Sequence, residues 1–262
     1  MKFDRTDYIK QPSPIEKELK ILFKQNEALT IFEIGACEGE DSIRYSRLFP
    51  SSKVHAFEPL PNNIKLIESN LIKYGIKNVS YYNIALSSVN GSAEFYVSQG
   101  RPDGLPETDW DFGNKSSSLL PPDKHKDLAA FIEFKDKITV QTLTLESFCK
   151  NNKISIIDFI HMDVQGAELM VLQGAGEFLS SIKVIWLEVS KIHVYKNQPL
   201  ADDISEFMME HNFVLAKDCV DGLQGDHLYI SKSFFPNYKQ VISKLNDKQL
   251  SIFSKFFKRF NL

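Results

Sequence analysis

The chain has 262 residues, 43% of them hydrophobic, which suffices for a substantial core and excludes a wholly disordered polymer. A formal net charge of -3 and a pI near 6.1 supply no global field for nucleic acid. Cys37, Cys149 and Cys219 have neither zinc-site spacing nor the even count of a disulfide framework, and the charged start lacks the apolar stretch of a secretory signal, so the expectation is a cytoplasmic protein.

Residues 14–25 are expected to form a first helix, ahead of a core at about 28–232 in a single domain. Short apolar runs then alternate with helical patterns. "TIFEI", "KVHAFE", "VSYYNIAL", "IIDFIHMD" and "VIWLEV" are strand-like. Between them, Ser42 to Phe49, Pro61 to Tyr74 and Glu168 to Ser180 carry apolar residues at helical spacing. This alternation predicts a mostly parallel α/β sheet with helices on both faces. A helix from Asp202 to His211 precedes "FVLAK" and "HLYIS", whose nine-residue connection is too short for a crossover, so these two should pair antiparallel. The polar stretch from Gly100 to Lys126, between "SAEFYV" and "KITVQTL", reads as a long functional loop.

Between the first strand and its helix lies "GACEGED", a glycine-rich turn of the kind that lets a ligand approach backbone N–H groups. Gly35 and Gly39 fit neither the dinucleotide fingerprint nor the phosphate loop. The neighbouring Glu33, Glu38, Glu40 and Asp41 would repel phosphate, so the ligand is expected to be neutral or cationic there, as S-adenosylmethionine is. Glu58 ends the second strand about 20 residues later, where an acid accepts hydrogen bonds from ribose hydroxyls. Asn83 and Ala85 close the third strand, where an adenine would pass. The cofactor set expected from this pattern is Glu33, Gly35, Ala36, Gly39, Glu58, Pro59, Asn83, Ala85 and Asp163.

The segment Ile156 to Leu179, "IIDFIHMDVQGAELMVLQGAGEFL", resembles the strand–turn–helix signature of the FkbM-type methyltransferases, a branch of the class I S-adenosylmethionine-dependent enzymes. "AFEPLPNN", "ALSSVNGSAEFYV", "SSSLL" and "LEV" are also similar to that family, and the likeness runs from about Ile31 to Ile230. It implies a Rossmann-like sandwich with a seven-stranded sheet and an antiparallel C-terminal strand. It also implies a hydroxyl acceptor on a saccharide, sugar nucleotide or natural product, as in surface polysaccharide biosynthesis. The signature usually has a lysine two residues before its aspartate and a glutamate two after it; here stand His161 and Gln165, which alters the charge near the reacting methyl.

Methyl transfer to a sugar hydroxyl calls for an aligned acceptor and a destination for its proton. Asp163 and Glu188, at ends of the fourth and fifth sheet strands, are candidate bases and together could hold Mg2+, a cation suited to hard oxygen ligands. The other reading of Asp163 is an N-cap for the next helix. His161, His193 and His227 compete for proton transfer, His227 also as an acceptor-binding residue. Trp110, Phe112, Ser116, Ser117 and Ser118 could close over a sugar. Rival functions are methylation of nitrogen or of a small metabolite, and a non-catalytic binding module in glycan assembly. "DVQGAE" lacks the Pro-Pro turn common in N-methylating enzymes, which favours oxygen. The basic tail at 237–262, with Ile252, Phe253, Phe256, Phe257 and Phe260 as an apolar stripe, is read as an amphipathic helix packed on the domain or across a homodimer; the alternative is a membrane surface at the inner face.

Overall fold

The computed structural model describes residues 9–102, 113–125 and 129–246. Ten strands and six α-helices carry names here. In chain order they are α1 (Glu16–Leu22), β1 (Thr30–Ile34), α2 (Glu40–Leu48), β2 (Lys53–Phe57), α3 (Pro61–Tyr74), β3 (Val79–Tyr82), β4 (Ala85–Leu86) and β5 (Gly91–Gln99). There follow β6 (Glu133–Leu143), α4 (Leu145–Asn151), β7 (Ile157–Met162), α5 (Glu168–Gln173), β8 (Ile182–Ser190), α6 (Ala201–Glu210), β9 (Phe213–Asp218) and β10 (Gln224–Ser231).

Seven strands form one sheet in the order β3-β2-β1-β7-β8-β10-β9. The first five are mutually parallel, and β10 runs antiparallel to both β8 and β9, so the expected C-terminal pair is present. This is the Rossmann-like arrangement that the resemblance implies. Strand order reverses between β1, which leads outward to β2, and its other neighbour β7; the crevice at their C-terminal ends is where open α/β sheets receive ligands.

Because both sheet faces are covered, the strands are apolar almost throughout. Phe32, Ile34, Ile160, Met162, Ile185 and Leu187 pack under the layer that includes α4, α5 and α6. Ile31, Phe159, Val184, Trp186, Leu228 and Ile230 pack under α1, α2 and a last helical stretch at 238–246. Helix α3 matches its expected bounds: proline opens it where an N–H would lack a partner, and Gly75, at φ 67°, closes it.

Two expectations need correction. "VSYYNIAL" is two strands, not one: β3 stays in the main sheet, while β4 joins a second, three-stranded sheet ordered β4-β6-β5 that holds "SAEFYV" and "KITVQTL". Helical spacing from Glu168 to Ser180 is interrupted by Gly174, beyond which the chain makes a 3-10 turn at Gly176–Ser181. A Cβ at Gly174 would sit 2.0 Å from the Ser87 carbonyl oxygen, so close packing against the β4 end, rather than helix propensity, sets this break. Of the tail, 238–246 is helical and Leu245 is buried among Tyr238, Val241 and Ile242 against the sheet face; the stripe from Ile252 to Phe260 lies outside the described residues.

Candidate active site

A cleft opens at the C-terminal ends of β1, β2 and β7. One wall is an apolar slot of Phe57, Pro59, Ile84, Ala85, Phe95 and Leu119; across from it lie Gly35, Cys37, Glu58, Asp163 and Gln165. The hairpin β5–β6 returns a strap, 113–123, over the mouth, so Asn114, Lys115 and Ser117 also line it.

The glycine turn is held differently from the sequence expectation. Its N–H groups are committed inside the protein: Gly35 and Ala36 donate to the Phe57 carbonyl at 3.0 and 2.9 Å, Cys37 donates to Glu58 Oε2 at 2.9 Å, and Gly39 donates to the Ala36 carbonyl. Nor is the missing side chain of Gly35 a ligand cradle. With φ 88°, a Cβ there would lie 1.8 Å from the Asp163 carbonyl oxygen, so glycine lets the ends of β1 and β7 meet. Gly39, at φ 76°, starts α2. Ala36 is buried in the core beside α3.

Glu58 is the buried carboxylate of the cleft. Oε1 accepts from the Leu60 N–H at 2.8 Å, Oε2 accepts from the Cys37 N–H, and the Asn63 side chain also hydrogen-bonds the carboxylate, which keeps one acceptor site for a ribose hydroxyl. Burial pushes its pKa up to about 7, partly offset by these hydrogen bonds. Asn83, exposed and not among the residues lining the cleft, donates to the Glu58 and Pro59 carbonyls at 3.0 and 2.9 Å and thereby fixes the turn that carries Glu58. Ala85 is buried in the slot. Lys115 Nζ pairs with Glu40 at 2.7 Å, so the strap's lysine is matched to the acidic loop. A flat apolar slot, a buried acceptor for a ribose hydroxyl and a carboxylate-rich edge fit the adenosine and the cationic methionyl part of S-adenosylmethionine.

Beyond the cleft the strand ends carry more carboxylates than cations. Asp163, Glu168 and Glu188 lie together, and Glu33, Asp41 and His161 form a second group. Asp226 pairs across the sheet with Glu188. Burial and then the neighbouring Asp163 hold Glu188 well above the usual carboxylate range. Burial and then Asp41 do the same for Glu33, which accepts a hydrogen bond from the Ser42 hydroxyl. Burial pushes Glu168 to about 7 and Asp226 to about 6.

Asp163 is exposed, and one oxygen takes the Gln165 amide at 2.5 Å. It is not the helix cap: the N-cap of α5 is Ala167, and Glu168 Oε1 instead accepts the Val164 and Gly166 N–H groups at 3.0 and 3.2 Å. The donor set fits a divalent cation poorly. Gln165 Nε2 points its hydrogens at both Asp163 and Glu188, where an ion would sit, and Glu168 Oε1 is already used twice by backbone donors.

His161, within β7, has its Nδ1 3.1 Å from the Tyr45 hydroxyl of α2. His193 is exposed, its Nδ1 2.9 Å from the Gln198 carbonyl, on a groove beside Gly166 and Leu169. His227 pairs with Leu187 across the sheet, hence on the face opposite Asp226 and Glu188, and is bound by Tyr229 at 2.9 Å and Asp218 at 3.4 Å. The strap serines are occupied with structure: Ser116 accepts Tyr195 through its carbonyl, Ser117 accepts the Ser98 N–H, and Ser118 donates to the Gln165 carbonyl. Trp110 and Phe112 lie outside the described residues. Sequence reasoning missed Tyr195, Asn114 and Asp226; for Asp226 the antiparallel pairing of "HLYIS" against "VIWLEV" was the available signal.

The family description "Methyltransferase FkbM domain" matches residues 33–215. The chain is 30% identical over 198 residues to the 2-O-methyltransferase NoeI of Sinorhizobium fredii, covering 76% of this chain and 77% of that protein. It is 23% identical over 233 residues to the AMB antimetabolite synthetase AmbE of Pseudomonas aeruginosa, covering 83% of this chain and 11% of that much longer protein. Among solved structures it is similar to a precorrin-6y C5,15-methyltransferase of Geobacter metallireducens, at 18% identity and a TM-score of 0.40, over 82% of this chain and 83% of the other.

Proposed function

The chain belongs to the FkbM methyltransferase family, and from that premise we propose that it moves the methyl group of S-adenosylmethionine to a hydroxyl of an unphosphorylated saccharide. The observation that carries this reading is the exposed carboxylate of Asp163 at the open edge of the cleft, with Glu188 and Asp226 behind it. Such an edge repels the phosphates of a sugar nucleotide and suits a neutral glycoside. Likeness to a 2-O-methyltransferase supports oxygen as the acceptor atom.

Bound S-adenosylmethionine supplies an electrophilic methyl on a sulfonium. Glu58 holds a ribose hydroxyl, and the slot around Ala85 and Phe95 takes the adenine ring. The strap shields the cleft from water on the side of Asn114 and Ser117. Asp163, with the Gln165 amide on Oδ1, receives the acceptor proton on its other oxygen. Burial and the neighbouring Asp163 raise the Glu188 carboxyl well above its ordinary range, which disfavours two negative charges side by side. No step requires a divalent cation.

Incubating the protein with tritiated S-adenosylmethionine and a panel of 4-nitrophenyl hexosides and deoxyhexosides, free or as nucleoside diphosphate sugars, tests the reading. Label is expected in a neutral glycoside, with turnover indifferent to EDTA. On that acceptor Asp163→Asn should lower turnover by ~10² to 10⁴ while binding S-adenosylhomocysteine normally. Label only in nucleotide sugars, or in amines, would overturn it.

A further inference from the structure

Tyr195 has no part in the chemistry described so far, yet with Gln165 it joins the strap to the reacting edge. Tyr195 follows β8 with its ring buried at 1% exposure. Its hydroxyl lies 2.7 Å from the Ser116 carbonyl oxygen on the strap and 2.9 Å from Gln165 Oε1. Gln165 Nε2 lies 2.5 Å from Asp163 Oδ1 and 3.0 Å from Glu188 Oε2. A primary amide nitrogen carries two hydrogens, one for each carboxylate. Turning the amide over would set its oxygen against the carboxylates, which fixes its orientation, and the single phenolic hydrogen is shared between the Ser116 carbonyl and Gln165 Oε1.

The backbone of the same residue is fastened as well. Gln165 stands at φ 56°, a conformation uncommon for residues other than glycine that persists where the surroundings enforce it. Here Ser118 Oγ donates to its carbonyl at 2.7 Å, again from the strap. Gly166 follows at φ 93°, where a Cβ would come within 3.0 Å of the Tyr195 ring. At its other end the strap is tied to the β1–α2 loop through Lys115 and Glu40 and through Asn114 and Cys37. One segment therefore touches the loop behind the cofactor cleft and the turn that bears Asp163.

We propose that Tyr195 and Gln165 are positioning residues that set Asp163 in its proton-accepting place only while the strap is seated over the cofactor cleft, so that transfer waits for the cofactor to be enclosed. The proposal rests on the reading of Asp163 given above. It separates two jobs that the strap would otherwise merge: covering the cleft, which Lys115 and Asn114 perform, and arming the edge, which passes through Tyr195.

Hydrogen–deuterium exchange with S-adenosylhomocysteine tests the coupling without any acceptor. In the wild type the ligand should slow exchange in peptides covering both 113–123 and 163–168. In Tyr195→Phe, which keeps the ring and removes the hydroxyl, the strap should still be slowed while 163–168 exchanges as in the ligand-free protein. Gln165→Leu should give the same separation and serves if Tyr195→Phe melts too early. On a glycoside that the wild type methylates, each single variant should lose roughly tenfold or more in kcat, a loss on the scale of a misplaced group. In Tyr195→Phe, KM and S-adenosylhomocysteine affinity should stay within about twofold, and the double variant should be no worse than the poorer single, as for residues acting in series. Protection of both segments together in Tyr195→Phe, or kcat losses that multiply, would overturn the proposal. A wild type that methylates no glycoside sinks the saccharide reading alone, and the exchange result still decides this one.

Discussion

Glu58 illustrates how one side chain serves structure and ligand together. Its carboxylate follows β2, accepts the Cys37 and Leu60 N–H groups, and lines the cleft. Removing it takes away the ribose acceptor, so Glu58→Ala should weaken S-adenosylmethionine by ~1 to 3 kcal/mol in calorimetry, the range for a hydrogen bond to a charged group. Equal affinity in the folded variant would remove Glu58 from that role. Gly35 shows the reverse case. A glycine that looked placed for a ligand is instead required by the carbonyl of Asp163, a neighbour 128 residues away whose approach no local pattern announces.

At the scale of elements, the strap and the turn after β7 are the working parts, and the helices are their supports. The hairpin β5–β6 leaves the main sheet, which is what carries 113–123 back across the cleft. The last helical stretch, 238–246, serves the core instead, where Leu245, at 2% exposure, seals the face that holds Ile31, Trp186 and Leu228. Leu245→Ala should therefore destabilise the protein by ~2 to 5 kcal/mol in denaturant melts, as buried leucine truncations do. If Leu245→Ala melts like the wild type, the stretch is not part of the core.

For the whole molecule the electrostatics predict a pH response. Folding raises Glu58 and Glu168 to about 7 and Asp226 to about 6, and holds Glu33 and Glu188 well above their ordinary range, in each case first by burial. As pH rises from the ordinary carboxylate range toward these values, the unfolded chain loses protons that the folded one keeps, so stability falls. His55 and His125, which burial lowers to about 4, and His227, which burial also lowers, act oppositely, an effect half spent at about pH 6.5, the pKa of the unfolded imidazole. Between pH 6.5 and 8 the five raised carboxylates outweigh what remains of it. The cofactor-free protein should melt at a lower temperature at pH 8 than at pH 6.5 by circular dichroism, and a rise would contradict this account. Among the described residues no helix is long and apolar enough to cross a membrane.

The alternation of apolar strands with helical spacing, the Glu58 position and the β7 signature were legible in the sequence because each is a local pattern: a period, a strand end, a turn. The sheet, its parallel run and the antiparallel β9–β10 pair follow from those patterns through connection length. What only the tertiary structure decided depends on contacts between distant segments. The N–H groups of the glycine turn go to Phe57 and Glu58, Asp163 does not cap α5 while Glu168 ties the turn before it, and His227 is turned away from the edge by the register of β10 on β8. The tie from Ser116 through Tyr195 and Gln165 to Asp163 spans four chain positions that no spacing rule connects, since hydrogen bonds between loops are fixed by packing and not by period.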